Sequence, residues 1–193
     1  MNYSLRRRII ILAAVVSAVL LPLSARAQKT AVTVNFGDIA ALGTLNLQLD
    51  HAFAQRVSAG AGVRYNPWTF GSGDCDDLSM LRQRSVFAGM RIWPWYVYSG
   101  WYVGTRLQWQ EYSRGGFGGL VPSEEGDAYG LVLEGGYALL VRKHWDITFG
   151  LAGWGGRTFY RSYTCPKCGR LTGEGAKWFV LPDALILSVS YIF

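Results

Sequence analysis

Apolar and polar residues alternate with a period of two along most of the chain after residue 30. Because successive side chains of a β-strand point to opposite faces, this period predicts strands that have one apolar and one polar face. Eight segments have this pattern, and the last, ALILSVSYIF, finishes on an aromatic residue. The segments are 32–36, 45–50, 57–66, 86–92, 101–110, 129–139, 145–152 and 184–193.

The connections between these segments alternate between short and long. Short connections fall at 51–55, 96–99 and 142–144, and long ones at 37–44, 67–81, 113–127 and 160–178. This alternation is typical of an up-and-down barrel that has tight turns at one end and long loops at the other. An even strand count places both termini with the short turns, which we expect on the periplasmic side.

The aromatic residues fall into two groups along the predicted strands. One group lies near the short turns and the other near the long loops, as in the two interfacial belts of a membrane barrel. The groups are Trp93, Trp95, Trp101, Trp145, Tyr191 and Phe193, and Tyr65, Trp68, Trp109, Tyr129 and Trp178. We therefore predict an all-β fold, an eight-stranded antiparallel up-and-down transmembrane β-barrel. The alternatives are a soluble sandwich and a lipocalin-like barrel, which would need apolar residues inside.

The first 27 residues predict a cleaved secretory signal peptide, with the barrel formed by residues 28–193. Arg6, Arg7 and Arg8 precede an apolar run, and small residues stand at the expected cleavage positions. Cleavage would leave 15 of the 19 basic residues against 13 acidic ones, a net charge of 15 − 13 = +2. So small a charge argues against nucleic acid as a partner. We expect the mature protein in the outer membrane of a Gram-negative bacterium, in contact with its lipid.

Charged residues on the polar faces predict an interior network. Eight strands leave room inside for side chains and little else, and charges buried there must pair. We predict that these residues form ion pairs that plug the lumen: Asp50, Arg64, Arg91, Arg106, Glu134 and Asp146. The alternative is a small channel lined by arginine.

Four stretches resemble a known family. They are RYNPWTF (64–70), KHWDITFGLAGW (143–154), YTCPKCG (163–169) and the ending from Pro182 to Phe193. Together they are similar to small Gram-negative, Bacteroidetes-type outer-membrane proteins that are known only as a domain of unknown function. The resemblance implies a barrel with a Cys-Pro-x-Cys-Gly outer loop and a terminal aromatic strand, and it implies a link to fimbria-like surface assembly. The ending also resembles the signal that barrel-insertion machinery reads, which makes that machinery an expected partner.

The cysteines lie in the predicted outer loops. Cys165 and Cys168 have the spacing of half a zinc site, and Cys75 could supply a third ligand. In an exported protein a disulfide between Cys165 and Cys168 is the more common outcome. We expect the disulfide, with the metal site as the alternative, and no cofactor.

An enzyme at the outer rim would need a base beside a nucleophile. His51 and His144 are both predicted at the short turns, so we expect no catalysis. Binding is expected in the outer loops, since loops on a rigid scaffold commonly carry it. The candidate residues for contact with an unidentified surface or envelope protein are Trp68, Phe70, Phe117, Leu120 and Lys167. The sequence thus predicts a non-catalytic structural or interaction component, with a channel or a rim enzyme as alternatives.

Overall fold

The computed structural model describes residues 29–40, 43–70, 79–115, 123–164 and 170–193. The predicted signal peptide lies outside these residues. The strands are β1 (Thr30–Asn35), β2 (Leu45–Ala54), β3 (Val57–Asn66), β4 (Thr69–Phe70), β5 (Ser79–Ile92), β6 (Gly100–Gly115), β7 (Ser123–Arg142), β8 (Trp145–Tyr163) and β9 (Leu171–Ile192). A five-residue helix, α1 (Phe36–Ala40), follows β1. Among the described residues, no helix has the length and apolar character that crossing a membrane requires.

Eight of the strands form a closed antiparallel ring in the order β1, β2, β3, β5, β6, β7, β8, β9. The first and last strands pair, with Ala31 opposite Ile192, and this ladder closes the ring. The short β4 lies outside the ring and pairs with the start of β5. The predicted all-β class, antiparallel pairing and strand count are confirmed. Closure leaves no exposed sheet edge wherever neighbouring strands overlap.

The two ends of the ring differ. The turn end carries the first residue of β1, the last residues of β9 and the turns around Arg56, Tyr96 and His144. The loop end carries the opposite ends of the strands. There the wall is uneven, because β2 and β3 have 10 residues each whereas β7 and β9 have 20 and 22.

Parts of the predicted long loops are strands. Residues 123–127 and 171–178 were expected in loops, but they belong to β7 and β9. Residues 123–127 are polar on both faces and residues 171–178 mix polar and apolar residues on each face, so the alternation that marks a half-buried strand is missing. Charged residues instead pair across the strands, as Arg114 does with Glu124. Helix α1 was also missed, within the predicted loop 37–44.

The polarity of the ring is the reverse of a soluble protein's. Large apolar side chains are exposed on the outer face, among them Leu47, Leu107, Leu133, Leu151 and Leu185. Buried charged residues, including Arg64, Arg106 and Glu134, point inward. The lipocalin-like alternative required apolar residues inside and polar residues outside, and this arrangement contradicts it.

An apolar cluster closes the interior near the turn end. It contains Ala31, Ala52, Trp93, Tyr98, Tyr102, Ala138 and Ile192. Trp93 was expected in an outward aromatic belt, but it is 2% exposed and lies inside. It has the same orientation as Arg91 in the preceding strand, and its indole nitrogen donates a hydrogen bond to Ser58 Oγ at 3.1 Å. Phe193 is half-buried, and the other predicted belt residues, such as Trp101, Trp145 and Trp178, are exposed.

Candidate functional site in the ring interior

The inward charged residues form one continuous chain of ion pairs. At its turn-end side, Arg91 lies between two carboxylates, with Nε 2.6 Å from Glu134 and Nη1 3.7 Å from Asp50. Gln48 donates from its amide nitrogen to both oxygens of Asp50, at 2.8 and 2.9 Å. Glu134 also accepts from Arg106, at 3.1 Å. The structure therefore brings together these four predicted residues, from β2, β5, β6 and β7, and Arg64 of β3 is the fifth of the six that joins the chain.

A carboxylate that the sequence analysis missed continues the chain. Asp183 accepts from Arg106 Nη2 at 2.5 Å, from Arg64 Nη1 at 3.0 Å and from Gln108 Nε2 at 3.0 Å. The register of β9 against β8 shifts at this point, because Ala184 pairs with Ala152 whereas Pro182 pairs with Gly153. The extra residue turns Asp183 inward although simple alternation would point it outward. A proline within a strand is the sequence signal for such a bulge.

The chain ends at helix α1. Arg64 Nε lies 3.0 Å from Asp38 Oδ2, so Arg64 also has a carboxylate on each side. Asn35 fixes the start of the helix, because its side-chain oxygen accepts from the backbone N–H of Gly37 at 3.1 Å and of Leu187 at 2.9 Å. Asp38 thus reaches the interior because β1 stops at Asn35 and the helix replaces it.

The complete order is Asp50, Arg91, Glu134, Arg106, Asp183, Arg64, Asp38, with carboxylates and guanidinium groups alternating. Each arginine lies between two carboxylates. Removing charges from water is costly, and only close opposite charges and hydrogen bonds offset that cost. The ring of Phe87 adds a further contact, since the guanidinium carbons of Arg106 and Arg64 lie 4.6 and 5.4 Å from its centroid.

Asp146 was predicted in this network, but it has no ion pair within 4.0 Å among the described residues. It is buried near the turn end and accepts a hydrogen bond from Thr148 Oγ1 at 3.0 Å. Its inward orientation follows from alternation, whereas the lack of an arginine within ion-pair distance depends on strand register and on the reach of the side chains. Neither the strand register nor the side-chain reach can be read from the sequence alone.

Glycines on the inner face make room for the large side chains of the interior. A Cβ at Gly104 would lie 2.9 Å from both Arg91 Cγ and Glu134 Oε1. A Cβ at Gly62 would lie 2.4 Å from the Phe87 ring. Side chains fill the interior around them, and the cavity beside Asp38, Arg64 and Arg106 measures about 20 Å³. That volume holds roughly one water molecule.

A second charged cluster lies at the loop end, beyond the outward aromatic row of Trp109 and Tyr129. Glu124 accepts from Arg114 at 3.1 Å, from Lys177 at 2.8 Å and from the hydroxyl of Tyr112 at 2.7 Å. Burial alone would raise the pKa of Glu124, but the hydrogen bonds from Lys177 and Tyr112 and the charge of Arg114 lower it below its usual value. An open cavity of about 980 Å³ lies near this level, lined by β3 and by β5 to β9.

Most of the predicted loop sites lie outside the described residues: Cys75, Cys165, Cys168, Phe117, Leu120 and Lys167. The side chain of Phe70 also lies outside the described part. Trp68 is half exposed, and its indole nitrogen donates to the Gly43 carbonyl at 2.9 Å. Within the described part, no three His, Cys, Asp or Glu residues are grouped so that they could hold a metal ion.

Both histidines lie at the turn end, as the sequence analysis expected. His51 Nδ1 is 2.9 Å from Thr30 Oγ1, and His144 Nδ1 is 2.8 Å from the Ile192 carbonyl. Each ring therefore contacts residues at the closure of the ring. Neither is near the charged cluster around Glu124 at the opposite end.

The chain belongs to a family described as proteins of unknown function, DUF3575, whose sequence profile matches residues 11–193. No curated protein matches the chain.

Proposed function

We propose that this member of the DUF3575 family spans the outer membrane as a closed eight-stranded β-barrel. In this proposal it catalyses no reaction and serves as a structural or interaction component of the cell surface. The observation that carries the proposal is the reversed polarity of the ring, with leucines outside and alternating ion pairs inside. Lipid is the solvent in which such an outer face is stable.

The height of the apolar outer face supports a membrane span. On β6 the outward residues run from Trp101 to Trp109, both aromatic and both exposed. Eight residue steps of about 3.4 Å extend about 27 Å along the strand, or about 21 Å along a barrel axis tilted by about 40°. Outer-membrane barrels have an apolar band about 25 Å tall between two aromatic girdles. The spacing of these tryptophans fits that band.

The filled interior favours a closed barrel over a channel. Each inward arginine is held between two carboxylates, and the neighbouring cavity has room for about one water. Moving an ion through the ring would require these pairs to separate in a site with little water, which is costly. The protein would therefore act through its surfaces, in particular through the loop end.

The expected orientation places the turn end in the periplasm and the loop end at the cell surface. The predicted signal peptide would direct export, and insertion machinery would fold the chain into the membrane. A surface or envelope protein of a fimbria-like assembly is the proposed partner of the loop end. The positions of both histidines at the turn end support the absence of a rim enzyme.

Cysteine labelling of intact cells tests the membrane topology. Glu174→Cys lies at the loop end and Tyr96→Cys at the turn end, and both side chains are exposed. In a background where Cys75, Cys165 and Cys168 are serine, a membrane-impermeant maleimide should label position 174 and leave position 96 unlabelled until the cells are lysed. Equal labelling of both positions in intact cells would contradict the topology. A compact monomer that dissolves without detergent would contradict the membrane span itself.

Recording in planar bilayers tests whether the barrel is closed. The purified protein should insert without producing steady conductance steps. Reproducible steps of one size would favour the channel. The matched control is Glu134→Gln, which removes one carboxylate from the interior chain and should increase any leak that passes through the ring.

A further inference from the structure

An apolar groove runs along the outer face of β8. Its floor consists of Gly155 and Gly153, where a Cβ at Gly153 would meet no heavy atom within 4 Å and one at Gly155 would first meet Val180 Cγ2 at 3.7 Å. The strand register gives its walls as Leu131 and Leu133 on β7 and Val180 and Pro182 on β9. Leu151, the next outward residue of β8 toward the turn end, closes the groove at that end. The exposed walls and empty floor make this part of the outer face concave.

Arg157 stands at the upper end of the groove, as the next outward residue on β8. Its guanidinium carbon lies 5.3 Å from the Phe159 ring and 5.8 Å from the Trp178 ring. Within the described part of the chain, no carboxylate lies within 4.0 Å of it. The outward Arg161 differs, because its Nε lies 3.8 Å from Glu174. Arg157 is thus a positioned cation without an ion pair among the described residues, at the boundary between the apolar face and the polar loop end.

We infer that this groove binds one phosphate-bearing lipid of the surrounding bilayer, with its phosphate at Arg157 and an acyl chain over Gly155 and Gly153. A guanidinium group offers a planar set of donors that matches phosphate oxygens. The aromatic rings hold it at the level where lipid headgroups meet the hydrocarbon. This inference rests on the proposed membrane function.

The dimensions of the groove agree with a single acyl chain. From Arg157 to Leu151 the strand advances six residues, about 20 Å along the strand and about 15 Å along an axis tilted by about 40°. Half of a hydrocarbon core of about 30 Å is also about 15 Å. A lipid whose phosphate contacts Arg157 can therefore extend one chain along the groove and remain within its own leaflet.

Charge distinguishes this occupant from others that an apolar groove could accept. A second copy of the chain or an apolar helix would contact the glycines but would leave Arg157 without an anion. Free phosphate would satisfy Arg157 but would leave the groove empty. Of these occupants, a lipid phosphate alone satisfies both parts, so a test must vary the phosphate and the chains separately.

Native mass spectrometry of the full-length mature protein, released from neutral detergent, provides that test. We would titrate phosphatidylglycerol, diacylglycerol with the same acyl chains, and inorganic phosphate. One phosphatidylglycerol should bind with saturation, whereas diacylglycerol and inorganic phosphate should bind at least about tenfold more weakly, because each lacks part of the contact. Arg157→Gln should lower phosphatidylglycerol affinity by at least about tenfold, close to that of diacylglycerol.

Two further variants separate the parts of the site. Gly155→Leu should weaken binding of both lipids by filling the groove, and its Cβ has space, so the fold should be retained. Arg161→Gln, an exposed outward arginine on the same strand, is the matched control and should bind phosphatidylglycerol as the unchanged protein does. The mobility of unheated samples on a denaturing gel would verify that each variant is folded.

Unchanged phosphatidylglycerol affinity in folded Arg157→Gln would overturn the inference. So would equal binding of phosphatidylglycerol and diacylglycerol, or inorganic phosphate that binds as tightly as phosphatidylglycerol. A protein that inserts with the expected topology and fails here contradicts the groove alone. A protein that never enters a bilayer contradicts the proposed function, which the labelling experiment detects independently.

Discussion

Two sets of ion pairs in this molecule use the same residue types at different depths. Arg64 and Asp183 in the interior have side chains 6% and 4% exposed, whereas Arg84 and Glu111 on the outer face near the loop end are 64% and 42% exposed. In the interior each charge depends on its partner, because water cannot replace it. On the exposed face water solvates either residue alone. Losing one partner of an arginine–carboxylate pair should therefore destabilise the fold strongly in the interior and only slightly on the exposed outer face.

The largest effect is expected from Asp183→Asn. This change removes the carboxylate that lies between Arg64 and Arg106, at 3.0 and 2.5 Å, and leaves two buried guanidinium groups close to each other. Breaking a buried pair costs about 3–5 kcal/mol. We expect a loss of this size in the free energy of unfolding, measured by urea titration in lipid vesicles.

The matched control is Glu174→Gln, which alters another carboxylate of β9 that is exposed and lies 3.8 Å from Arg161. It should change the free energy of unfolding by less than about 1 kcal/mol. If both variants unfolded at the same urea concentration as the unchanged protein, depth would not determine the strength of these pairs.

A smaller loss is expected from Asp38→Asn on α1. Arg64 would keep Asp183 as a partner, and asparagine retains one acceptor oxygen. The expected cost is about 1–3 kcal/mol, that of weakening a hydrogen bond to a charged group. Proteolysis within α1 under native conditions should also accelerate, since Asp38 joins this helix to the interior. A loss as large as that of Asp183→Asn would mean that the two carboxylates contribute equally.

Asp183 and Asp38 also show which residues of the interior chain could be predicted from the sequence. Alternation predicts an inward face for these residues, because a strand of constant period fixes the face of every residue, and the structure has their side chains in the interior: Asp50, Arg64, Arg91, Arg106 and Glu134. It missed Asp183, where a bulge reverses the face, and Asp38, which lies on a helix within a predicted loop. Pro182 was a visible sign of the bulge, whereas the contacts that dock α1, between Asn35 and Leu187 and between Arg64 and Asp38, are tertiary and local sequence does not encode them.

Similar reasoning explains the strand lengths. Alternation between apolar and polar residues reports a strand that separates two environments, and it ends where both faces meet water. The segments around Glu124 and Glu174 are strands of this second kind, joined by charged pairs across the sheet. Because neither segment alternates, both were predicted as loop, although their partners continue the ladder.

The side chain of Glu124 is 13% exposed, between Asp183 at 4% and Glu111 at 42%. The pH dependence of the free energy of unfolding should reveal how much Glu124 contributes to stability. Its pKa is lowered in the folded state by Lys177, Tyr112 and Arg114, although burial opposes the shift. A lowered carboxylate pKa gives stability that is present above the unfolded pKa, about 4.3, and that is lost as the pH falls through the folded value. Urea titrations at pH 7 and below pH 4 should therefore differ by a component that Glu124→Gln removes. An identical pH dependence in the variant would contradict this contribution.

The smallest effect is expected from Glu111→Gln on the outer face. Glu111 pairs with Arg84 directly across the ladder between β5 and β6, and its oxygen accepts from Arg84 Nε at 2.5 Å. Despite this close contact, both side chains are exposed, so the expected loss is within about 1 kcal/mol and should shrink further at 1 M salt, where charges are screened over about 3 Å. Urea titration at low and high salt measures both quantities. A loss of several kcal/mol that salt leaves unchanged would show that the outer face excludes water at this level, and the apolar band of the barrel would then extend above Trp109.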